Sequence, residues 1–468
     1  MADLFSLLGN ASASLAAQRG LSQTASNNLQ NVNTPGYSRQ RAELAAVLPA
    51  ERVGGAFMGQ GAVLAGVTQA RDRFLESQVP ANLASAARYR AQADAVSALA
   101  AFNLEQPGGP AAALNGYFGA MRVLSQNPSD VGLRQAAVNS AQAVGIAFNS
   151  ASQQINTARS AVDDRLKGDV ETINQLAQRL ADLNKEVREA RADGASPNDL
   201  LDTRQRVQDQ LVEMTGAVPV PAANGDVGLA LGKGVSLVTG DQAARLSLLA
   251  NPSNNGLLDV RITPSGGANA RTVDASVLGG STGGLLEARD GTLKTALDGL
   301  DTLAFDFASA TNAAHQAGVA LDGSSGADLF NAGISSAGAA TRLSVNPAIA
   351  GDVKLLQASD SAGSLPGNNK ALLNVLAVAD AALSNGQTVM TGMSQLTSSF
   401  GANVASAQGL AEHHEALKAH VEGLRESTSG VSIDEEMVHL SRAQRAFEAV
   451  SKVIQITDQM LDTLMKLK

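Results

Sequence analysis

Apolar residues recur at alternating spacings of four and three at both ends of this 468-residue chain, and this pattern constrains the possible fold most strongly. Such spacings place side chains on one helical face and form the heptad seam of a coiled coil. The N-terminal seam is interrupted only at Gln18 and Ser22 and consists of Leu4, Leu8, Ala11, Leu15, Ala25, Leu29 and Val32. The C-terminal seam consists of Ile433, Met437, Leu440, Ala443, Phe447, Val450, Ile454, Thr457, Leu461 and Leu464. We therefore predict an amphipathic helix at each end.

Periodicity alone does not identify what these terminal helices pack against. Each helix would be roughly 40–50 Å long and carries small or polar residues in its seam, so each should be marginal alone in water. The helices could dock on their own domain or pack against partners. The position of the seams at opposite ends of the chain favours pairing of the two helices in a coiled coil.

The interior changes from helical to β-like patterning and back again. A regular apolar stripe from Val162 to Val187 predicts a long helix, which ends near Gly194 and forms a hairpin with the next helix over residues 154–215. Other helices are expected at about 72–106 and 111–124. Residues 218–280 are rich in Gly, Val, Asn and Thr and alternate in short runs, as β-strands do.

The predicted fold class is mainly α with an inserted β-rich domain. It combines terminal helices in a coiled coil, a long helical-bundle domain and a small β domain. The predicted domains are a terminal core (1–35 with 430–468), a loop or hairpin connector (36–70), a helical domain (71–217 with 281–429) and the β-rich insert (218–280).

Composition argues against several functional classes. The net charge is −9 and no Lys/Arg cluster is apparent, so nucleic acid is not expected as a partner. The absence of Cys rules out disulfides, zinc–thiolate sites and thiol catalysis. The N-terminus lacks a basic region followed by an apolar run, and no segment approaches the ~20 apolar residues that span a bilayer. We therefore expect no membrane partner and no Sec-type leader.

No motif indicates catalysis or a cofactor. Gly232-Lys233-Gly234 lacks the spacing of a phosphate-binding loop and reads as a hairpin turn. His413 and His420 are seven residues apart, roughly 10 Å along a helix, which is too far for one metal ion. Residues 322–328 resemble the start of a calcium loop without its closing Glu. We predict that the chain is not an enzyme and binds no metal or cofactor.

Two terminal motifs carry a family resemblance. Residues 25–39 (ASNNLQNVNTPGYSR) look like the N-terminal signature of flagellar rod, hook and hook-associated proteins. Residues 429–437 (SGVSIDEEM) look like the matching C-terminal signature, in which Ser432 and Glu435 have the spacing of a capping box. The hairpin within residues 173–215 resembles that of the hook-associated protein 1 family.

From the signatures and seams together, we predict an assembly interface. Its residues are Leu4, Leu8, Leu15, Leu29, Asn31, Thr34, Gly36, Tyr37, Arg39, Ile433, Met437, Leu440, Phe447, Val450, Ile454, Leu461 and Leu464.

The resemblance implies a structural subunit of the extracellular flagellum that acts as an adaptor at the hook–filament junction. It implies a closed ring of about eleven copies between the hook protein and hook-associated protein 3. It also implies unfolded export through the flagellar type III apparatus, with a cytoplasmic chaperone on the C-terminal helix before export. Many family members carry an additional outer domain where this chain has only residues 318–369.

Three alternatives remain at this stage. A hook or distal-rod protein would have a β-rich body in place of the helical hairpin. A secreted enzyme would need convergent acids or a metal motif, but residues 218–280 and 318–369 contain no His or Cys. An adhesin-like surface role for the β insert could coexist with a structural role.

Overall fold

Helices make up most of the chain in the computed structural model, which describes residues 2–47, 52–53, 56–57, 61–99, 102–267 and 269–466. The helices span Ala2–Gln30 (α1), Arg73–Ser97 (α2), Pro110–Gln126 (α3), Val131–Ala192 (α4), Asn198–Thr215 (α5), Gly280–Glu287 (α6), Leu293–Gln316 (α7), Ala339–Arg342 (α8), Pro347–Gly351 (α9), Lys370–Ala377 (α10), Val389–Ser429 (α11) and Ile433–Lys466 (α12).

The strands form small antiparallel sheets. They span Gln40–Ala46 (β1), Arg52–Val53 (β2), Ala56–Phe57 (β3), Ala62–Gln69 (β4), Val218–Pro221 (β5), Val227–Leu231 (β6), Val235–Thr239 (β7), Gln242–Ala243 (β8), Arg245–Ala250 (β9), Leu258–Thr263 (β10), Arg271–Val273 (β11), Phe330–Asn331 (β12) and Ser344–Val345 (β13). The chain is thus mostly helical with limited sheet, as the sequence predicts. Part of the predicted connector, residues 48–51, 54–55 and 58–60, lies outside the described residues.

The α4–α5 hairpin is the longest feature of the fold. Helix α4 has 62 residues and would extend roughly 93 Å. It begins at Val131, where the Asp130 carboxylate accepts the Leu133 N–H at 3.0 Å. The predicted hairpin, which began at residue 154, was therefore too short at its N-terminal end. Ala-rich residues 131–153 lack the Leu/Val stripe by which we located the helix.

Strands β5–β11 lie against α4. The residues that precede β5 and follow β11 in the chain lie next to each other. Gly216 ends α5 with φ +65°, and a Cβ there would lie 2.6 Å from the Gly279 Cα. The Gly279 N–H donates to the Thr215 carbonyl at 2.8 Å. The Asn184 amide on α4 bonds to the backbone of Val227 and Gly240. A side chain of the helix thus provides the hydrogen-bond partners for backbone groups at this end of the sheet.

Helix α2 ends at Ser97, before the predicted end near residue 106. The following turn buries Leu99, Phe102 and Leu104. Phe102 lies edge-on to Phe400 of α11, with the ring centroids 5.6 Å apart. These buried residues continue the apolar pattern beyond the helix, which explains why periodicity overestimated its length.

Residues 318–369 pack on α4 and α7 and contain β12, β13, α8 and α9. The Asn312 amide bonds to the backbone of Leu329 and Phe330. Phe330 joins Phe307, Tyr117 and Phe118 in an aromatic cluster with centroid separations of 5.2–6.2 Å. The segment buries large residues such as Leu329, Leu343 and Ile349, but they are separated by Gly, Ser and Ala without a regular period, so the sequence pattern concealed them.

His315 ties the same segment to the end of α7. The side chain is fully buried, with Nδ1 2.7 Å from the Ala327 carbonyl and Nε2 accepting the Gln357 N–H at 3.0 Å. Nδ1 therefore carries the proton and the ring is neutral. Burial is the main cause of the lowered pKa of His315, opposed by the bond to Ala327 and by nearby Asp328.

We predict that His315 makes the protein less stable in acid. Its pKa in the folded protein lies below the ordinary histidine value of about 6.5, so its contribution to stability is complete above that pH and is lost as pH falls below it. Urea unfolding should show a loss on the order of 1 kcal/mol from this residue between about pH 7.5 and about pH 5.5. The His315→Asn variant should be less stable at the higher pH but lose less on acidification. An exposed-site control, His413→Asn, should behave like wild type, and equal acid sensitivity in both variants would contradict the prediction.

Candidate assembly site

The predicted N-terminal signature forms a tight reversal after α1. The Thr34 N–H donates to the Asn31 carbonyl at 2.9 Å, and the Tyr37 N–H donates to the Thr34 carbonyl at 3.2 Å. Gly36 has φ +74°, and a Cβ there would lie 2.7 Å from the Cγ atom of Arg206 on α5. Glycine is therefore favoured both by the backbone angle and by the close approach of α5.

Asn28 is the hydrogen-bonding centre of this reversal and is 1% exposed. Its Nδ2 donates to the Gln40 carbonyl at 2.8 Å and to Glu436 Oε2 at 3.1 Å. Its Oδ1 accepts the Tyr37 hydroxyl at 2.8 Å and the Gln40 N–H at 2.9 Å. All four bonding positions of the amide are thus used, as a buried amide requires.

Arg39 connects the reversal to the start of α12. Its Nε donates to Glu436 Oε1 and its Nη1 donates to Glu435 Oε2, both at 2.7 Å. Its backbone N–H donates to the Ser429 carbonyl at 2.9 Å. The predicted capping box gave Glu435 a local role, but the structure pairs its carboxylate with an arginine 396 residues away. We call Asn28, Tyr37, Arg39, Glu435 and Glu436 the terminal clasp.

The Tyr37 hydroxyl acts only as a donor in the clasp. Burial, reinforced by the carboxylates of Asp202, Asp199 and Glu436, raises the pKa of Tyr37 far above its usual range. The phenol therefore keeps its proton at all ordinary pH values and donates it to Asn28.

Helices α1 and α12 pack against each other and run antiparallel. Asn28 meets Glu436, while earlier residues of α1, such as Gln18 and Leu21, share a groove with His439 and Ala443. The buried residues of the two helices are small or polar: Ala11, Ala17, Thr24, Ala25 and Asn28 of α1 and Glu436, Ala443 and Thr457 of α12. Close approach of the helices thus depends on short side chains.

The predicted interface residues differ in exposure. Half-buried residues are Leu4, Leu8, Leu15, Leu29, Asn31, Tyr37, Arg39, Leu440, Phe447, Val450, Ile454 and Leu461. Exposed residues are Thr34, Gly36, Ile433 and Met437. The side chain of Leu464 lies outside the described residues. Asn28 and Glu436 are absent from the predicted interface. The available signal is that each is a polar residue beside a seam position near the end of a helix.

Helix α12 also presents apolar residues away from α1. Val453, Ile456 and Met460, which we call the outer stripe, are about half exposed, at 47%, 48% and 54%. Their spacing of three and four places them on one helical face. Exposed apolar residues grouped in this way favour an interaction surface.

The other candidate motifs have local roles. The His414 ring stacks on Tyr89 with a centroid separation of 4.5 Å. Lys233, with φ +58°, occupies a turn and donates to Ser276 Oγ at 2.6 Å. Asp322 accepts the Ser324 N–H within its own turn. Across the described part of the chain, no three His, Cys, Asp or Glu residues are placed to hold a metal ion. No helix in that part is long and apolar enough to cross a membrane.

Known proteins match this architecture over most of the chain. The family described as "Flagellar hook-associated protein FlgK helical domain" matches residues 101–330. The family described as "Flagellar basal body rod FlgEFG protein C-terminal" matches residues 425–467.

Individual relatives agree with these family matches. Flagellar hook-associated protein 1 of Bacillus subtilis is 28% identical over 99% of this chain and 98% of its own length. The Salmonella typhimurium protein of the same name is 28% identical over 70% of this chain and 60% of its own length.

A solved structure supports the same relationship. The flagellar hook junction protein FlgK from Burkholderia pseudomallei is 29% identical with a TM-score of 0.50, covering 55% of this chain and 47% of that chain. Together, the two terminal signatures, the helical hairpin and these matches show that the chain belongs to the flagellar hook-associated protein 1 (FlgK) family.

Proposed function

We propose that this flagellar protein is a non-enzymatic structural adaptor at the hook–filament junction, required for filament attachment. The observation that carries the proposal is the terminal clasp, which joins the two chain ends and leaves the outer stripe of α12 uncovered. The proposed core is a coiled coil of α1 and α12, with strands β5–β11 as an inserted domain in the helical body.

The proposed assembly is a closed ring of about eleven copies between the hook protein and hook-associated protein 3. The Burkholderia relative is a flagellar hook junction protein, which supports this location. The long α4–α5 hairpin, within the matched helical domain, favours it over a hook or distal-rod role.

The proposed route is type III export to the extracellular flagellum, with a cytoplasmic chaperone on α12. An uncovered apolar stripe on a terminal helix requires protection before assembly, since exposed apolar patches promote aggregation. The proposed interface consists of the predicted residues, the omitted Asn28 and Glu436, and the outer stripe.

Removal of residues 433–468 from the only chromosomal copy tests the junction role. We expect hooks without filaments in electron micrographs, loss of motility and filament protein in the medium, because α12 supplies half of the terminal core. Normal filaments on this strain would rule out the proposed role.

The role of the outer stripe in subunit contact can be tested separately from its effect on folding. Ile456→Asp adds a charge to an exposed position, so we expect the unfolding free energy to change by less than about 0.5 kcal/mol. Filament attachment should nevertheless fail, because the carboxylate would be buried against a neighbour. A matched control, Gln455→Asp, adds the same charge at an exposed position on another face and should retain motility. Motility of the Ile456→Asp strain would show that this stripe faces solvent in the flagellum.

The terminal clasp predicts a specific coupling between Asn28 and Glu436. Asn28→Asp would place two carboxylates in near contact in a buried site, at a cost on the order of 2–3 kcal/mol. Hydrogen exchange of residues 24–42 should become faster, and the double variant Asn28→Asp/Glu436→Gln should recover much of the protection. Equal exchange in wild type and Asn28→Asp would mean that the clasp does not hold the termini together.

A further inference from the structure

The charge exposed by α4 differs between the two halves of the helix. Residues 131–161 and residues 162–192 each include 14 exposed residues. In the second half nine of them are charged, among them Asp164, Lys167 and Glu171, whereas in the first half none is charged. The solvent-facing side of a helix is normally polar and charged. The first half lacks the charges that are typical of a face in permanent contact with water, and we call its exposed side the uncharged α4 face.

Helix α11 carries a similar face on the side that is not packed against α2. Of the 16 exposed residues within 401–424, only Glu412 has a formal charge. Leu410, Leu417 and Leu424 are 39%, 38% and 41% exposed. They are seven residues apart, so they lie along one side of the helix. We call this surface the uncharged α11 face.

The composition of these two faces is that of a contact surface. The core of a protein–protein interface contains few charged residues and is more apolar than the rest of the protein surface. On the uncharged α4 face, Ile146 is 69% exposed and Val131 is 51% exposed. Apolar residues grouped on an exposed surface favour association. The two faces therefore have the character of surfaces that are covered in an assembly.

The pattern of charge indicates which surfaces fit each other. Both faces are exposed in the same chain, so neither covers the other within one molecule. If the leucines of α11 packed against the second half of α4, carboxylates such as Asp164 and Glu171 would be buried without partners, which is costly. The uncharged α4 face offers Ile146 and Val131 without that cost. A second copy of this chain can therefore supply the matching surface for α11.

We propose that the uncharged α11 face of one copy packs against the uncharged α4 face of the next copy. Because the two surfaces differ, the contact is heterologous, and each copy uses one face toward each neighbour, as a closed ring requires. The faces provide 16 and 14 exposed residues, fewer than the roughly 20–30 a side of a standard interface. The contact is thus too small to hold two free copies together and forms in the assembly. The proposal rests on the proposed function, which supplies the ring.

The test is photo-cross-linking in intact flagella, with Leu417→p-benzoylphenylalanine in the only copy of this chain. Irradiation should produce a covalent dimer of the chain. Trypsin cleaves after Arg134 and Arg159 and at no position between them, so the peptide attached to the probe should be residues 135–159. Mass spectrometry of the excised dimer identifies that peptide.

Matched controls use an exposed position in the charged half of α4. Gln175→p-benzoylphenylalanine should give no dimer, because this half of the helix remains in water. In the strain with the probe at position 417, Ile146→Glu should lower the amount of dimer per cell at least about fivefold, since a carboxylate would be buried at the contact. Gln175→Glu should leave the amount unchanged. The thermal unfolding midpoint of each purified variant should equal that of the parent chain, since both substituted positions are exposed.

Three outcomes would overturn the proposal: a dimer linked through a peptide other than 135–159, a link to a different flagellar protein, or no link although the chain is present in the flagella. An equal dimer yield with Ile146→Glu would also contradict it. Failure of the junction role would appear separately, as absence of the chain from isolated flagella and normal filaments after removal of residues 433–468.

Discussion

The buried amide of Asn28 is the constraint on which the arrangement of the chain ends depends. A buried amide is costly unless all its donors and acceptors are paired, and here the partners come from the reversal after α1 and from the start of α12. Glu436 is 408 residues from Asn28, so the network is complete only when both ends of the chain are present. Arg39 neutralises the buried carboxylate of Glu436, and this pairing makes its burial tolerable.

Side-chain amides also pair with backbone groups where the sheets contact the helices. Asn174 and Asn184 of α4 each donate to and accept from strand backbone, as a neighbouring strand would. Arg289, 1% exposed, pairs with Asp163 of α4 at 2.6 Å and also donates to the Leu258 carbonyl. With few aromatic residues, the chain obtains specific contacts from buried amides and guanidinium groups as well as from bulky packing.

Much of this architecture could be predicted from the sequence because helices with regular apolar stripes and strong breakers are local features. The stripe of α4 and the Pro-Gly reversal at residues 35–36 are of this kind. Other features depend on distant contacts. Position 145 of α4 is a glycine because a Cβ there would lie 2.8 Å from the Leu343 carbonyl oxygen. The low helix propensity of glycine argues against a helix at this position, and the sequence does not reveal the distant contact.

The sequence predicted which helices form the candidate site but not which of their residues are buried. The seams located the helices that meet, but periodicity favours large apolar residues, whereas the buried residues of α1 and α12 are Ala, Thr, Asn and Glu. The role of His315 could not be predicted from the sequence, because its partners, Ala327 and Gln357, contribute backbone atoms, which carry no side-chain signal.

A seam of small and polar residues has a physical consequence for an assembling subunit. Burying Ala and Thr contributes less free energy than burying Leu or Phe, so the α1–α12 pair gains little stability from its own contact. Much of the large apolar surface remains half-buried or exposed, as in Phe447, Ile454 and the outer stripe. The clasp fixes how the two helices are paired, while the apolar residues left over can stabilise contacts with neighbouring subunits. In the proposed assembly, specificity within the chain and affinity between chains therefore rest on different residues.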